Sequence, residues 1–227
     1  MNKKVVTILI VAVVIPLFIS LGVIIFKDRS FMFISLLITI SALIPVFLSF
    51  EKNESNTRKM VVLATLIALS VVGRFIFAAL PGFKPVTAIV VISAIFFGAE
   101  SGFLVGALSA LISNVYFGQG PWTPFQMFTW GIIGFIAGFP YISEKLKSNK
   151  VYLILYGIFA GVMYSLIMDI WTVMSLDGTF NFARYITVAG IALPFMITYA
   201  VSNVVFLLLT IKPIGSKLER LKIKYGI

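Results

Sequence analysis

Neither cysteine nor histidine occurs in this 227-residue sequence, and only 11% of its residues carry charge, against about 25% in a typical soluble domain. Without Cys there is no disulfide framework, no thiolate metal site and no Cys nucleophile. Without His there is no Ser-His-Asp triad and no His-ligated haem. Acids are the scarcest charge, 8 Asp and Glu against 18 Lys and Arg. No Gly is followed by Lys, so there is no P-loop for nucleotide hydrolysis. Asp169 is the only acid deep in an apolar run, which leaves an ion-coupled pump short of intramembrane acids and a membrane enzyme short of a general base. No metal site, cofactor or catalytic residue is expected. What is abundant is apolar: 60% of residues are hydrophobic and the mean hydropathy is +1.10. A 25 kDa chain cannot bury that much apolar surface in one soluble core. The composition therefore indicates an all-α integral membrane protein.

A helix crossing the hydrocarbon layer needs roughly 20 apolar residues, and unpaired backbone groups are not tolerated in lipid, so apolar runs read as helices. Eight follow one another: Val5–Phe26, Phe31–Phe50, Met60–Leu80, Pro85–Phe97, Gly102–Phe117, Trp122–Phe139, Val151–Ser175 and Tyr185–Ile211. The first is longer than the 7–15 apolar residues of a secretory signal and reads as a retained helix. The polar stretch Glu51–Lys59 divides a two-helix front part, residues 1–57, from a six-helix back part, residues 58–227. The front spans carry no polar side chain larger than Ser or Thr.

Basic residues set the expected sidedness. With a cytoplasmic N-terminus, Lys3, Lys4, Lys52, Arg58, Lys59, Lys145, Lys147, Lys150, Lys212, Lys217, Arg220, Lys222 and Lys224 lie inside. Lys27, Arg29, Lys84 and Arg184 lie outside. The positive-inside rule favours this orientation, with both termini cytoplasmic in a multi-pass cell-membrane protein. The net charge of +10 then reads as a topology signal and an attraction to anionic lipid headgroups. The basic residues form no single stripe among aromatics, so no nucleic-acid partner is indicated.

The polar residues within spans are the candidates for function. Arg74 is expected either to snorkel to the outer interface or to line an outward cavity. Asn114 and Asp169 fall at a similar depth, and an Arg74–Asp169 ion pair is the structural alternative to ligand contact. The uncharged segment Gly118-Gln119-Gly120-Pro121-Trp122-Thr123-Pro124 is a shaped turn. It leads into a stripe of Trp122, Gln126, Trp130, Gly134 and Gly138, four residues apart and so on one helical face. Two indoles flanking an amide suit a flat, partly polar ligand, whereas an interfacial aromatic belt accounts for Trp122 alone. Lys84 and Asn181, in the other two outer loops, and Gln119 and Thr123 complete the candidate ligand set. Small-residue ladders at Gly98, Gly102, Gly106 and Ala110, at Gly134 and Gly138, at Gly157 and Gly161, and at Ala64 and Ala68 indicate close helix packing.

Taken together, the region from Arg58 onward resembles the substrate-binding S component of an energy-coupling-factor (ECF) vitamin transporter. Six helices follow the divide, Ala64-Thr65-Leu66-Ile67-Ala68 is similar to the family's A-x-x-x-A signature, and the outer loops are elaborate. The resemblance implies a six-helix bundle, here preceded by two extra helices, that binds a vitamin near the outer surface and topples to release it inside. It also implies that Ala64 and Ala68 dock on a transmembrane T component, with two cytoplasmic ATPases driving the cycle. Gly98–Gly138, with the turn at 118–124, is similar to the cobalamin-type subgroup. Without His, a corrinoid would be held by shape, stacking and hydrogen bonds. A stand-alone secondary carrier or small channel, and a membrane enzyme acting on lipid or a prenyl group, are the alternative classes.

Overall fold

The computed structural model describes residues 3–26, 37, 40, 41 and 55–227. The expected second span, Phe31–Phe50, lies almost wholly outside the described residues, as do Lys27, Arg29 and Lys52. The described residues are all-helical. Helices α1 (Lys3–Leu9) and α2 (Ile15–Phe26) are joined by a π-helical turn, Ile10–Val14. This widening comes just before Pro16, which cannot donate an i→i−4 hydrogen bond. Val11, Ile15 and Ile19, one helical face, are buried against the main bundle.

That bundle comprises α3 (Ser55–Ile76), α4 (Val86–Phe97), α5 (Ala99–Phe117), α6 (Trp122–Ala137), α7 (Pro140–Ser148), α8 (Lys150–Asp177) and α9 (Phe182–Tyr225). Four of these, α3, α5, α8 and α9, are long and apolar enough to cross a membrane, or five spans if the α6–α7 pair, bent by 79°, counts as one. The eight expected spans are thus not all matched by helices of spanning length. The run Pro85–Phe97 yields only 12 helical residues, about 18 Å of rise against a hydrocarbon core of about 30 Å. The run Tyr185–Ile211 is extended to 44 residues by its polar continuation, despite Pro194 and Pro213 within it. At α3 the polar residues Ser55–Lys59, expected to be linker, continue the helix. Pro140 at the first position of α7 starts a short basic helix that no apolar run announced.

Helix α4 is buried along nearly its whole length, the expected fate of a helix apolar on all sides. It is the centre around which α3, α5, α6 and α9 pack. Gly98, at φ +91°, turns the chain directly from α4 into α5. The α5–α6 contact explains the glycine ladders: a Cβ on Gly102 would lie 2.6 Å from the Gly134 carbonyl oxygen, and one on Gly106 would overlap the Trp130 backbone. Gly161 likewise lies against Ala200, joining α8 to α9. Elsewhere large apolar side chains point outward, among them Ile186, Ile191, Phe195, Ile197 and Leu209 of α9, a surface that suits lipid rather than water.

Candidate functional site

One end of the bundle holds a cavity of about 440 Å³, counting its open mouth, lined by Arg74, Gly82, Lys84, Val86, Thr87, Gln126, Trp130, Tyr164, Tyr199 and Asn203. Five helices and the α3–α4 loop contribute, so the cavity exists only when the bundle is assembled. Its entrance loop is pinned: the Lys84 backbone N–H donates to the Ser202 hydroxyl at 2.8 Å, and that hydroxyl donates back to the Lys84 carbonyl at 3.2 Å.

Behind the wall runs a chain of side-chain hydrogen bonds whose direction Arg74 dictates. A guanidinium can only donate. Arg74 Nη1 donates to the Ser113 hydroxyl and, at 2.7 Å, to Asn114 Oδ1. The Asn114 amide nitrogen must therefore face onward, donating to Thr123 Oγ1 at 3.0 Å and Gln126 Oε1 at 2.9 Å. Gln126 Nε2 then donates to the Tyr164 hydroxyl at 2.8 Å. The Tyr164 oxygen is used as an acceptor, which leaves its proton to donate elsewhere. This relay links α3, α5, α6 and α8. The four side chains from Arg74 to Tyr164 are all at least nine-tenths buried, so the polar groups are held in place by one another.

Rings form the rest of the wall. Trp130 stacks on Tyr164, with centroids 5.4 Å apart and planes 26° apart, and Tyr164 meets Tyr199 edge-on at 5.0 Å. The Arg74 guanidinium lies 4.6 Å from the centroid of Phe117 and 5.3 Å from that of Trp130. Lys84 Nζ lies 5.6 Å from the same Phe117 ring. Partial burial and, beyond it, the neighbouring Arg74 charge hold the Lys84 ammonium below the usual lysine range.

The ten expected ligand residues separate into three groups. Arg74, Lys84, Gln126 and Trp130 line the cavity. Asn114 and Thr123 stand behind it in the relay, and Gln119 accepts from Thr123 and donates to the Leu111 carbonyl. Trp122, Asp169 and Asn181 are elsewhere. Trp122 packs on Gly120 and edge-on against Trp171. Asn181 caps α9 through the Arg184 N–H. Asp169 is buried with Oδ2 unpartnered and makes no ion pair with Arg74, whose Nη1 partners are neutral. Tyr164, Tyr199 and Asn203 line the cavity without having been singled out. Their signal was available: a phenol in the α8 run, and a phenol and an amide four residues apart in the α9 run.

Ala64 and Ala68 lie on an exposed face of α3, and neither lines the cavity. No curated protein and no solved structure matches the chain. The sequence pattern of the family described as "ECF-type riboflavin transporter, S component" matches residues 54–217. That stretch is well over half of the chain and contains every cavity-lining residue, so the chain belongs to the ECF-type riboflavin transporter S component family, a family of substrate-binding subunits rather than enzymes.

Proposed function

We propose that this chain captures a flavin-type micronutrient, riboflavin or a near relative, from outside the cell and delivers it inward together with a T component and two cytoplasmic ATPases. The observation that carries the reading is the cavity itself. It offers a stacked indole–phenol wall for a flat ring, and donors fixed by a buried relay for the ring's polar edge. The family's name points the same way, so riboflavin replaces cobalamin as the preferred substrate. In this reading the cavity faces outward, both termini are cytoplasmic, residues 58–227 are the binding unit, and the front helices are an extension to it.

Titration of the purified protein with riboflavin and with cobalamin, in the absence of ATP, tests the substrate. Saturable quenching of flavin fluorescence, with no cobalamin binding, is expected; cobalamin binding without flavin binding overturns the assignment. The exposed alanine face of α3 supports docking of a partner helix at close range. Replacing Ala64 and Ala68 together with Trp should leave riboflavin affinity within about twofold, a change of roughly 0.4 kcal/mol, and abolish copurification with the T component. Undiminished copurification would remove this face from the interface.

A further inference from the structure

Three sources of positive potential meet in the cavity, and among the described residues no carboxylate lines it. The first is Arg74, only 8% exposed, whose Nε has no hydrogen-bond partner and whose Nη1 bonds go to a hydroxyl and an amide, both neutral. The second is Lys84, which shares the Phe117 ring with Arg74. The third is the N-terminus of α4. Its first residues, Val86 and Thr87, line the cavity, and Pro85 at the cap position supplies no side-chain hydrogen bond. The first N–H groups of a helix lack intrahelical acceptors, and that end carries a partial positive charge.

Each source alone has an ordinary explanation. Together they make a pocket whose positive charge meets no carboxylate among the described residues that line it. Bringing two cations and a helix N-terminus together in a partly dehydrated site is unfavourable unless an anion completes it. Asp169, the buried acid of the neighbouring α8, is not among the lining residues. The rings under Arg74 and Lys84 spread their charge but cannot neutralise it.

We infer that the cavity is built for a ligand that carries an anionic group, a phosphate monoester or a carboxylate, bound between Arg74, Lys84 and the start of α4, with the ligand's ring against Trp130 and Tyr164. This deepens the flavin reading and rests on it only for the identity of the ring: the phosphorylated flavin is preferred to the neutral one. A guanidinium and an ammonium at one site match the several acceptor oxygens of such a group, and a helix N-terminus is a ready anion site.

Two matched pairs test the inference by Trp fluorescence in the purified full-length protein: riboflavin with riboflavin 5′-phosphate, and nicotinamide with nicotinate. The charged member should bind about tenfold tighter or more, the effect of one charge-assisted hydrogen bond of ~1.5–3 kcal/mol. That advantage should shrink with added salt and fall to within about threefold in Lys84→Gln and Arg74→Gln, roughly 0.65 kcal/mol or less. Lys84→Gln, at a half-buried loop position, keeps the test open if the Arg74 variant fails to fold. Which pair responds separates phosphate from carboxylate. Preference for the neutral member of every pair that binds, or an advantage untouched by Lys84→Gln, overturns the inference. Flavin binding with neutral preference overturns it while leaving the flavin reading intact. Nicotinate preference without flavin binding does the reverse, and no binding in either pair overturns both.

Discussion

The two ends of α4 make an instructive contrast. At its C-terminal end, Lys222 Nζ donates to the Phe96 carbonyl at 2.9 Å and Lys59 Nζ to the Phe97 carbonyl at 3.3 Å. These are cations at the negative end of a helix, where charge and dipole agree. Nearby, Lys147 pairs with Glu219 at 2.6 Å across α7 and α9. At the N-terminal end, Arg74 and Lys84 stand beside the positive end of the same helix, against neutral hydroxyls, amides and rings. Basic residues therefore stabilise one end, and at the other they meet no carboxylate among the described residues that line the cavity. In the reading proposed above, such a conflict, held in place by a hydrogen-bond relay, marks a binding site.

Exchanging charge for neutrality at each end should break the contrast in opposite ways. The largest effect is expected of Arg74→Gln: affinity for riboflavin 5′-phosphate falls roughly 10- to 100-fold, from the loss of a charged hydrogen bond of ~1.5–3 kcal/mol. The unfolding temperature should hold or rise, because an unbalanced buried charge is gone. A clear drop in unfolding temperature would instead make Arg74 a structural residue. Trp130→Phe keeps a ring against Tyr164 but shortens the stacking surface. It should cost up to about tenfold in affinity for either flavin by titration, in line with ~0.5–1.5 kcal/mol for an aromatic pair.

At the other end, Lys222→Gln should lower stability by no more than about 1 kcal/mol, since the bond is single and half-exposed. Flavin affinity should stay unchanged; a shift in affinity would mean that the two ends are coupled through α4. The smallest effect is in pH. Because the folded protein holds Lys84 below its ordinary range, native protein binds fewer protons than unfolded chain between the two values. The folding penalty from this lysine is thus complete below the folded value and is relieved as pH rises through it. Anion affinity runs the other way, weakening as the ammonium is lost, and Lys84→Gln should flatten that limb.

Part of this site was legible before any coordinates. The four-residue stripe on α6 places Gln126 and Trp130 on the cavity wall and turns Gly134 and Gly138 onto α5, because one helical face must serve both. Its first member fails for a local reason: Trp122 begins the helix, where the turn folds its ring back over Gly120. Arg74 could be marked out by the rarity of charge in apolar runs, but its partners could not, since choosing Asn114 over Asp169 depends on how α3, α5 and α8 are placed. Tyr164 and Asn203 carry no such mark, since a lone phenol or amide in an apolar run is ordinary and only the packing of α8 and α9 brings them to the cavity. The short length of α4 was hidden by its apolar composition, which suits a buried central helix as well as a membrane span. The Ala64–Ala68 pair could be marked out by its four-residue spacing, and both residues are exposed.

Proteoliposomes containing this chain alone, given riboflavin with and without internal ATP, test the central claim most directly. The account predicts saturable, stoichiometric binding and no accumulation in either condition, with accumulation appearing only when the T component and ATPases are added. Uptake of riboflavin beyond the bound amount by the chain alone would contradict it and make the protein a carrier in its own right.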